Sequence, residues 1–435
     1  MLNSINGHIY AIKNQCFKRL LFMGLAIFFL LSGCTSVRRI ANAHLKDEAL
    51  KNSFHGFKVL DPKTGKTVYD LNGDSYFTPA SNVKIVTFYS GTKLLPKNIP
   101  TLSYAISNDT LFVEGTGDPT WVHPYFQDST AIKWLKKQGN IALCLQNFQE
   151  DRFGLGWAWE DFDAHFSPEK SPLPLFGNVV TMSNIDSLKV SPVYFTEHVS
   201  LKDMARHRDE FFNHFYLEPT AQDTLTVPFL TSEALTKKLL ESVLEKEIVL
   251  SDHFPNTEKR TLYGMETDSI YKHMLLVSDN FLAEQLLLSA SSTFSDTLYT
   301  EKAITYMLEH HLKDLEQQPR WVDGSGLSRY NLFTPNSLVQ VLQKLYAEVP
   351  EERLFNIFPL WGASGTIEKW EDPTVEPFIF AKSGSLGNNY NLSGYLRTKS
   401  GKLLIFSSMN NHFTVPSSQI KTTMYSMLKK IYEYY

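Results

Sequence analysis

The chain has 435 residues, 42 basic and 46 acidic, for a net charge of −4. That length suits two or three domains and a sizeable buried core, so its three cysteines need not supply a disulfide scaffold. The absence of a basic excess argues against nucleic acid as a partner, and 43% apolar with 20% charged residues excludes a disordered chain.

Residues 1–19 carry Lys13, Lys18 and Arg19 and no acid, and residues 20–31 are an unbroken run of twelve apolar side chains. Twelve is short for a membrane-spanning helix, which needs about 20, and suits the apolar part of a secretory signal. The run ends in Leu31-Ser32-Gly33-Cys34. This resembles the lipobox of bacterial lipoproteins, with Cys34 as the lipid-carrying residue after a signal peptide over residues 1–33. A signal anchor left uncut, or an ordinary secreted chain, are the alternatives. Cleavage removes three positive charges and no negative ones, which takes −4 to about −7. Thr35 stands where an aspartate would favour retention in the inner membrane. The expected location is the bacterial cell envelope, lipid-anchored and facing the periplasm, on the outer rather than the inner membrane.

Residues 57–71 read as a hairpin turning at Lys63-Thr64-Gly65. Pro79-Ala80-Ser81 then opens an apolar segment that reads as a helix starting near the serine. From 100 to 230 short strand-like runs alternate with Asn, Asp, Gly and Pro, a β-rich inserted region. One helix is expected inside it, over residues 201–215, with His207 and His214 on one solvated face. Helices resume at Ser232, a good N-cap, and residues 268–290 read as one strongly apolar helical stretch. From 376 the chain alternates as antiparallel strands and closes on a helix. The expected fold is α+β and multi-domain: a catalytic domain over 34–99 and 231–435, an antiparallel sheet flanked by helices, interrupted by a β-rich domain over 100–230.

Acyl transfer by a serine needs a nucleophile, a base, a cation for an anionic substrate group and an oxyanion hole. Ser-x-x-Lys places a hydroxyl and an amine on one helix face, but the pattern occurs six times, at Ser81, Ser90, Ser167, Ser269, Ser418 and Ser426. Ser81 alone follows a Pro-Ala helix start, where free N–H groups and the helix dipole favour negative charge. Ser-Asp-Asn occurs once, at Ser278-Asp279-Asn280. Lys-Ser/Thr-Gly occurs three times: in the hairpin turn at Lys63, in a polar turn at Lys399, and at Lys382-Ser383-Gly384 after an apolar run. Only Lys382 is set against a core. The ordered set Ser81-x-x-Lys84, Ser278-Asp279-Asn280, Lys382-Ser383-Gly384 is specific where each part is not.

With these motifs the chain resembles the penicillin-binding D-alanyl-D-alanine carboxypeptidases/endopeptidases that carry an inserted domain, the low-molecular-mass class C penicillin-binding proteins. Further matching segments are residues 113–119, 156–161, 277–287, 323–331, 363–367 and 382–396. The resemblance implies a β-lactamase/transpeptidase-like domain and a serine peptidase acting on peptidoglycan stem peptides. Ser81 would be the nucleophile and Lys84 the base. Ser278 would relay a proton, Asn280 would hold the substrate amide, and Lys382 and Ser383 would bind the terminal carboxylate. The backbone N–H groups of Ser81 and Ser385 would form the oxyanion hole. β-Lactam antibiotics would be inhibitors that acylate Ser81. No cofactor and no metal are implied. Ser383 stands where threonine is commoner, and the insertion is short for such proteins.

Two other functions share these residues. A serine β-lactamase or esterase on the same core would add a water-activating glutamate, which Glu352 and Asn356 loosely resemble; helical apolar spacing at Leu354 and Phe358 makes that segment an ordinary helix. A non-catalytic peptidoglycan-binding scaffold is the other, and it has no need of an intact Ser81, Lys84 and Asn280. The Asp323-Gly-Ser-Gly and Gly115-Thr-Gly-Asp118 segments read as turns, His310-His311 as a helix end, and Cys144 as a buried, inert thiol.

Overall fold

The computed structural model describes residues 37–370 and 375–435. The expected signal peptide and Cys34 lie outside the described residues. The described chain begins with helix α1 over residues 37–44, the hairpin β1 (Phe54–Asp61) and β2 (Lys66–Leu71), and the helix α2 (Val83–Leu94). Strands β3 (Asn98–Ser107) and β4 (Thr110–Gly115), helix α3 (Thr130–Lys136) and strand β5 (Asn140–Cys144) follow. The short strands β6 (Val179–Ser183), β7 (Lys189–Ser191), β8 (Val199–Leu201), β9 (Phe215–Leu217) and β10 (Leu225–Pro228) come next. Then come α4 (Glu233–Leu244), β11 (Val249–Leu250), β12 (Arg260–Glu266), α5 (Thr267–Val277), α6 (Asn280–Ser291), α7 (Thr300–His310), α8 (Pro335–Glu348) and α9 (Glu351–Ile357). The chain ends with β13 (Ile379–Leu386), β14 (Asn389–Arg397), β15 (Leu403–Asn411) and α10 (Ser417–Tyr434).

Chain ends meet in the main sheet. Its order is β13-β14-β15-β1-β2, every neighbour antiparallel. Successive side chains of a strand point to opposite faces, and β15 serves two cores. Leu403, Ile405 and Met409 enter the cluster formed by α2, α5, α6 and α8, while Leu404 and Phe406 enter the one covered by α1 and α10. Helix α10 presents Ile420, Met424, Met427, Leu428 and Ile431 to that second core, an apolar stripe at helical spacing. Helix α2 is different: residues 83–91 are all buried, so it is a central helix rather than an amphipathic surface one.

The other five-stranded sheet has the order β11-β5-β4-β3-β12 and is mixed, with β5 parallel to both β4 and β11. It runs past residue 230 to Glu266, and its core takes Leu235, Leu239 and Leu240 from α4. The helix expected over residues 201–215 does not form; β8 ends there, β9 begins, and the residues between are irregular. Arg208 explains it. Its guanidinium is buried and donates to the carbonyls of Asp209 and Phe162, so the local backbone oxygens serve a side chain instead of a helix. His214 bonds Ser200.

The expected single stretch over 268–290 is two helices. Ser278 adopts φ +61° and ends α5, and the Asp279 side chain accepts the Leu282 N–H and caps α6. This break turns the polar triplet toward the region where α2 begins. The inserted region docks on α6 beyond it. Gln285 donates to the Gly117 and Ser171 carbonyls, both at 2.9 Å, and accepts the Ser171 N–H at 3.1 Å. Among the described residues no helix is long and apolar enough to cross a membrane.

Candidate active site

Ser81 lies in a short turn, Ala80–Asn82, that leads directly into α2. Ala80 carries φ +48°, a strained value for a residue with a Cβ. Its surroundings hold it there. Asn411 Oδ1 accepts the Thr78 N–H at 2.7 Å, and Asn391 Nδ2 donates to the Thr78 carbonyl at 2.9 Å. Asn82, fully buried, donates to the Lys382 carbonyl at 2.8 Å and accepts the Ser393 hydroxyl at 2.7 Å. The buried polar residues of β14 and β15 thus clamp the turn to the main sheet.

Lys84 follows one turn along the helix. Its Nζ donates to Ser81 Oγ at 3.0 Å, to Asn280 Oδ1 at 2.6 Å and to the Ser325 carbonyl at 2.7 Å. All three ammonium donors are used. Burial pulls this amine down to about 8, against the pull of Asp323, Asp279 and Glu284. Desolvation disfavours the charged form, so the amine is partly neutral near neutral pH. Lys382 on β13 is also fully buried. Burial first and the Lys84 charge second push it well below the ordinary lysine value, and its Nζ donates to the Ser383 carbonyl at 2.6 Å.

Strand β13 is the edge of the main sheet. Its outer edge is engaged as far as residue 381: the Trp361 N–H donates to the Ile379 carbonyl and the Ala381 N–H to the Pro359 carbonyl. By the two-residue period, Ser383 and Ser385 turn their backbone groups to the same outer edge. Gly384 backs onto the Ser81 turn. A Cβ there would stand 2.5 Å from the Pro79 carbonyl oxygen and 3.0 Å from the Ser81 nitrogen. Ser383 Oγ pairs with Thr366 Oγ1 at 2.6 Å.

The structure therefore gathers Ser81, Lys84, Asn280, Lys382, Ser383 and Ser385 around one point. Ser278 ends the neighbouring helix, and among the described residues its side chain makes no hydrogen bond to Ser81 or Lys84. Asn280 also donates to the Phe166 carbonyl at 2.9 Å, so the inserted region reaches the rim. Of the other Ser-x-x-Lys and Lys-Ser/Thr-Gly matches, Ser167-x-x-Lys170 borders the site through Phe166, but its lysine pairs with Glu150. Lys63-Thr64-Gly65 and Lys399-Ser400-Gly401 are turns. Glu352 is exposed on α9, Asn356 accepts Lys272 Nζ at 2.9 Å, and Leu354 and Phe358 are buried. Asp323 closes a turn: it accepts the N–H groups of Gly326 and Ser328 and the Trp157 indole. Cys144 is buried, and burial pushes its thiol up to about 11. Among the described residues no group of histidines, cysteines or acids could hold a metal.

Sequence reasoning missed four partners. Asn82 stands at a variable position of Ser81-x-x-Lys84 and Thr366 within the matching segment 363–367, but neither setting signals the contact it makes. The Ser325 contribution is a backbone carbonyl, invisible in side-chain chemistry. Glu284 left a trace, as the single charged residue of α6.

A part-buried serine beside a buried lysine, a third polar arm from a second helix and a lysine on an edge strand form an arrangement suited to serine acyl transfer, on an α+β fold. Residues 38–198 and 232–431 match the profile of the D-Ala-D-Ala carboxypeptidase 3 (S13) family, and the chain belongs to that family. It is similar to a D-alanyl-D-alanine carboxypeptidase DacB of Haemophilus influenzae, at 23% identity over 91% of this chain and 93% of that one. It is also similar to a D-alanyl-D-alanine carboxypeptidase of Actinomadura sp. (strain R39), at 22% identity over 88% and 82%. Among solved structures, the fold matches penicillin binding protein 4 of Haemophilus influenzae with a TM-score of 0.69, covering 92% of this chain and 99% of that one at 19% identity.

Proposed function

We propose that the chain is a serine D-Ala-D-Ala carboxypeptidase/endopeptidase of peptidoglycan stem peptides. The observation that carries this reading is the 3.0 Å contact between Ser81 Oγ and a fully buried, partly neutral Lys84. Ser81 attacks the carbonyl carbon of the D-Ala-D-Ala bond while its proton passes to Lys84. The oxyanion is met by the N–H groups of Ser81 and Ser385. The departing amine takes a proton relayed through Ser278, and water then releases the acyl group from Ser81. Lys382 and Ser383 receive the terminal carboxylate. Asn280 serves twice, holding Lys84 and offering its amide to the substrate. The open edge of β13 accepts the peptide as an added strand.

Penicillins acylate the same serine as substrate mimics. The proposed inserted domain keeps the bounds 100–230, and its sheet is extended by β3 and β12, which reach from Asn98 to Glu266. The signal peptide, the lipid on Cys34 and an envelope location facing the periplasm belong to this reading, supported by the leader's order of basic, apolar and small residues. Labelling by a fluorescent penicillin tests it. The wild-type chain takes the label and Ser81→Ala does not; a retained label in the variant overturns the nucleophile. Incubation with a pentapeptide and with cross-linked muropeptides separates the two peptidase activities. Rapid penicillin turnover instead of a lasting acyl-enzyme would favour a β-lactamase.

A further inference from the structure

Helix α6 holds Lys84 twice. Asn280 does so directly. Glu284 lies four residues further along the same helix face and is 1% exposed. Its Oε1 accepts the Ser325 N–H at 2.8 Å and its Oε2 accepts the Gly324 N–H at 3.1 Å. The Ser325 carbonyl is the one that Lys84 Nζ reaches at 2.7 Å. On the α2 side, Thr87 Oγ1 donates to the Gly324 carbonyl at 2.6 Å. Gly326 then packs on the nucleophile turn, where a Cβ would stand 1.9 Å from the Ala80 carbonyl oxygen.

A carboxylate this deep is costly unless hydrogen-bonded, and among the described residues Glu284 forms no ion pair. Two backbone N–H groups are its partners, and both belong to the strand of chain that presents a carbonyl to the lysine. We propose that Glu284 is a positioning residue for acyl transfer: it fixes residues 324–325 so that the Ser325 carbonyl holds Lys84 against Ser81. This rests on the function proposed above. With both N–H groups pinned and Thr87 on the Gly324 carbonyl, the Gly324–Ser325 peptide is held from two sides, while the plane of the Ser325 carbonyl itself is tied by the Gly326 N–H on Asp323 Oδ1 at 2.8 Å. Without them, Lys84 keeps two of its three partners and is free to leave the serine.

Glu284 also sets the charge around the lysine. The groups facing this pocket are Lys84 on α2, Asp279 and Glu284 on α6, Asp323 in the following loop, Lys382 on β13 and Lys170 from the inserted region. Burial pushes Glu284 up to about 7, the Asp323 charge adding to this and Lys170 opposing it. Its negative charge in turn supports the Lys84 ammonium. Removing that charge lowers the lysine further, while loosening the loop slows the reaction. The two effects are separable.

The test is the rate of acylation by a fluorescent penicillin across pH, in the full chain and in Glu284→Gln, with thermal unfolding followed in parallel. Glutamine offers one acceptor where the loop presents two donors. The plateau rate is expected to fall about 100-fold, the scale of a misplacement near 1 Å, and the acidic midpoint to move to lower pH. An unchanged plateau, or a fallen plateau with an unmoved midpoint, overturns the proposal. Should Glu284→Gln not fold, Thr87→Val removes the other tie on Gly324 without altering charge. It is expected to lower the plateau and leave the midpoint in place; a wild-type plateau overturns the proposal. A wild-type chain that penicillin does not acylate at any pH overturns the proposed function itself.

Discussion

Lys84 and Asn280 meet at 2.6 Å although the whole inserted region separates them in the chain. The contact exists because α5 stops at Ser278 and Asp279 restarts the helix in a new direction. Truncating Asn280 removes an acceptor from a buried ammonium and leaves Ser81 as its nearest side-chain partner. Asn280→Ala is expected to slow penicillin acylation by about 100-fold. Stopped-flow measurement of the acylation rate checks this, with circular dichroism to confirm the fold. A rate near wild type would remove Asn280 from the proposed machinery.

The pH dependence has a defined sign. In the proposed mechanism acyl transfer needs the neutral Lys84 amine, and burial holds that amine at about 8 rather than 10.5. The specificity constant for acylation in the free enzyme should therefore rise with pH and level off above about 8. Stability moves the same way in the next window. Between about 8 and 10.5 the unfolded chain binds the proton that the folded lysine lacks, so this group adds stability as pH rises. Rate profiles and urea unfolding at matched pH values test the two statements separately.

Asp118 has the opposite linkage. It is fully buried, and burial pushes its carboxyl from 3.8 up to about 6, against the hydrogen bonds from Thr101 and Thr120. Between those values the folded state binds more protons than the unfolded one, so stability falls as pH rises. The size is on the order of 3 kcal/mol. Asp118→Asn is expected to lose this slope between pH 3.8 and 6, read from denaturant midpoints. A slope identical to wild type would locate the titration elsewhere.

Much of the site was legible because its side chains occupy short motifs with fixed order. Ser81, Lys84, Asn280 and Lys382 were separable from the chance matches by their settings: a helix start, a single occurrence and an apolar strand. The antiparallel tail and the early hairpin were legible from period-two alternation. What escaped depends on long-range packing. Arg208 and the carbonyls it binds override a plausible helix over 201–215, and no local propensity signals a guanidinium that will be buried. The α5–α6 break was masked by its apolar flanks, though Ser278-Asp279 is a helix-stop and N-cap pair. The Ser325 carbonyl carries no residue-type information.

Gly384 tests how closely β13 must approach the nucleophile. A Cβ there would meet the Pro79 oxygen at 2.5 Å and the Asn82 nitrogen at 2.9 Å. Both belong to a turn clamped by Asn391, Asn411 and Asn82, so neither yields easily. Gly384→Ala must push β13 away from Ser81, widening the space between the Ser81 and Ser385 N–H groups. The expected outcome is a stability loss of roughly 1–3 kcal/mol from overpacking. Acylation should fall by at least 100-fold, the scale of a lost oxyanion donor. Mass spectrometry of the penicillin-treated variant and urea unfolding report the two effects.

Gln285 tests whether the inserted region is needed for a working site. Its amide makes three hydrogen bonds to Gly117 and Ser171, all buried. Leucine keeps the size but leaves the Ser171 N–H and two carbonyls without those partners. The cost is about 1–3 kcal/mol for a stranded buried group. The consequence reaches the catalytic centre, because residues 166–171 run from the Phe166 carbonyl on Asn280 to this dock. Loosening one end frees the other, and Asn280 loses the bond that orients its oxygen toward Lys84. Gln285→Leu is therefore expected to lower the unfolding midpoint and also to slow acylation, although it touches neither Ser81 nor Lys84. A destabilised variant that acylates at the wild-type rate would show that the insertion only rests on α6 and does not shape the site.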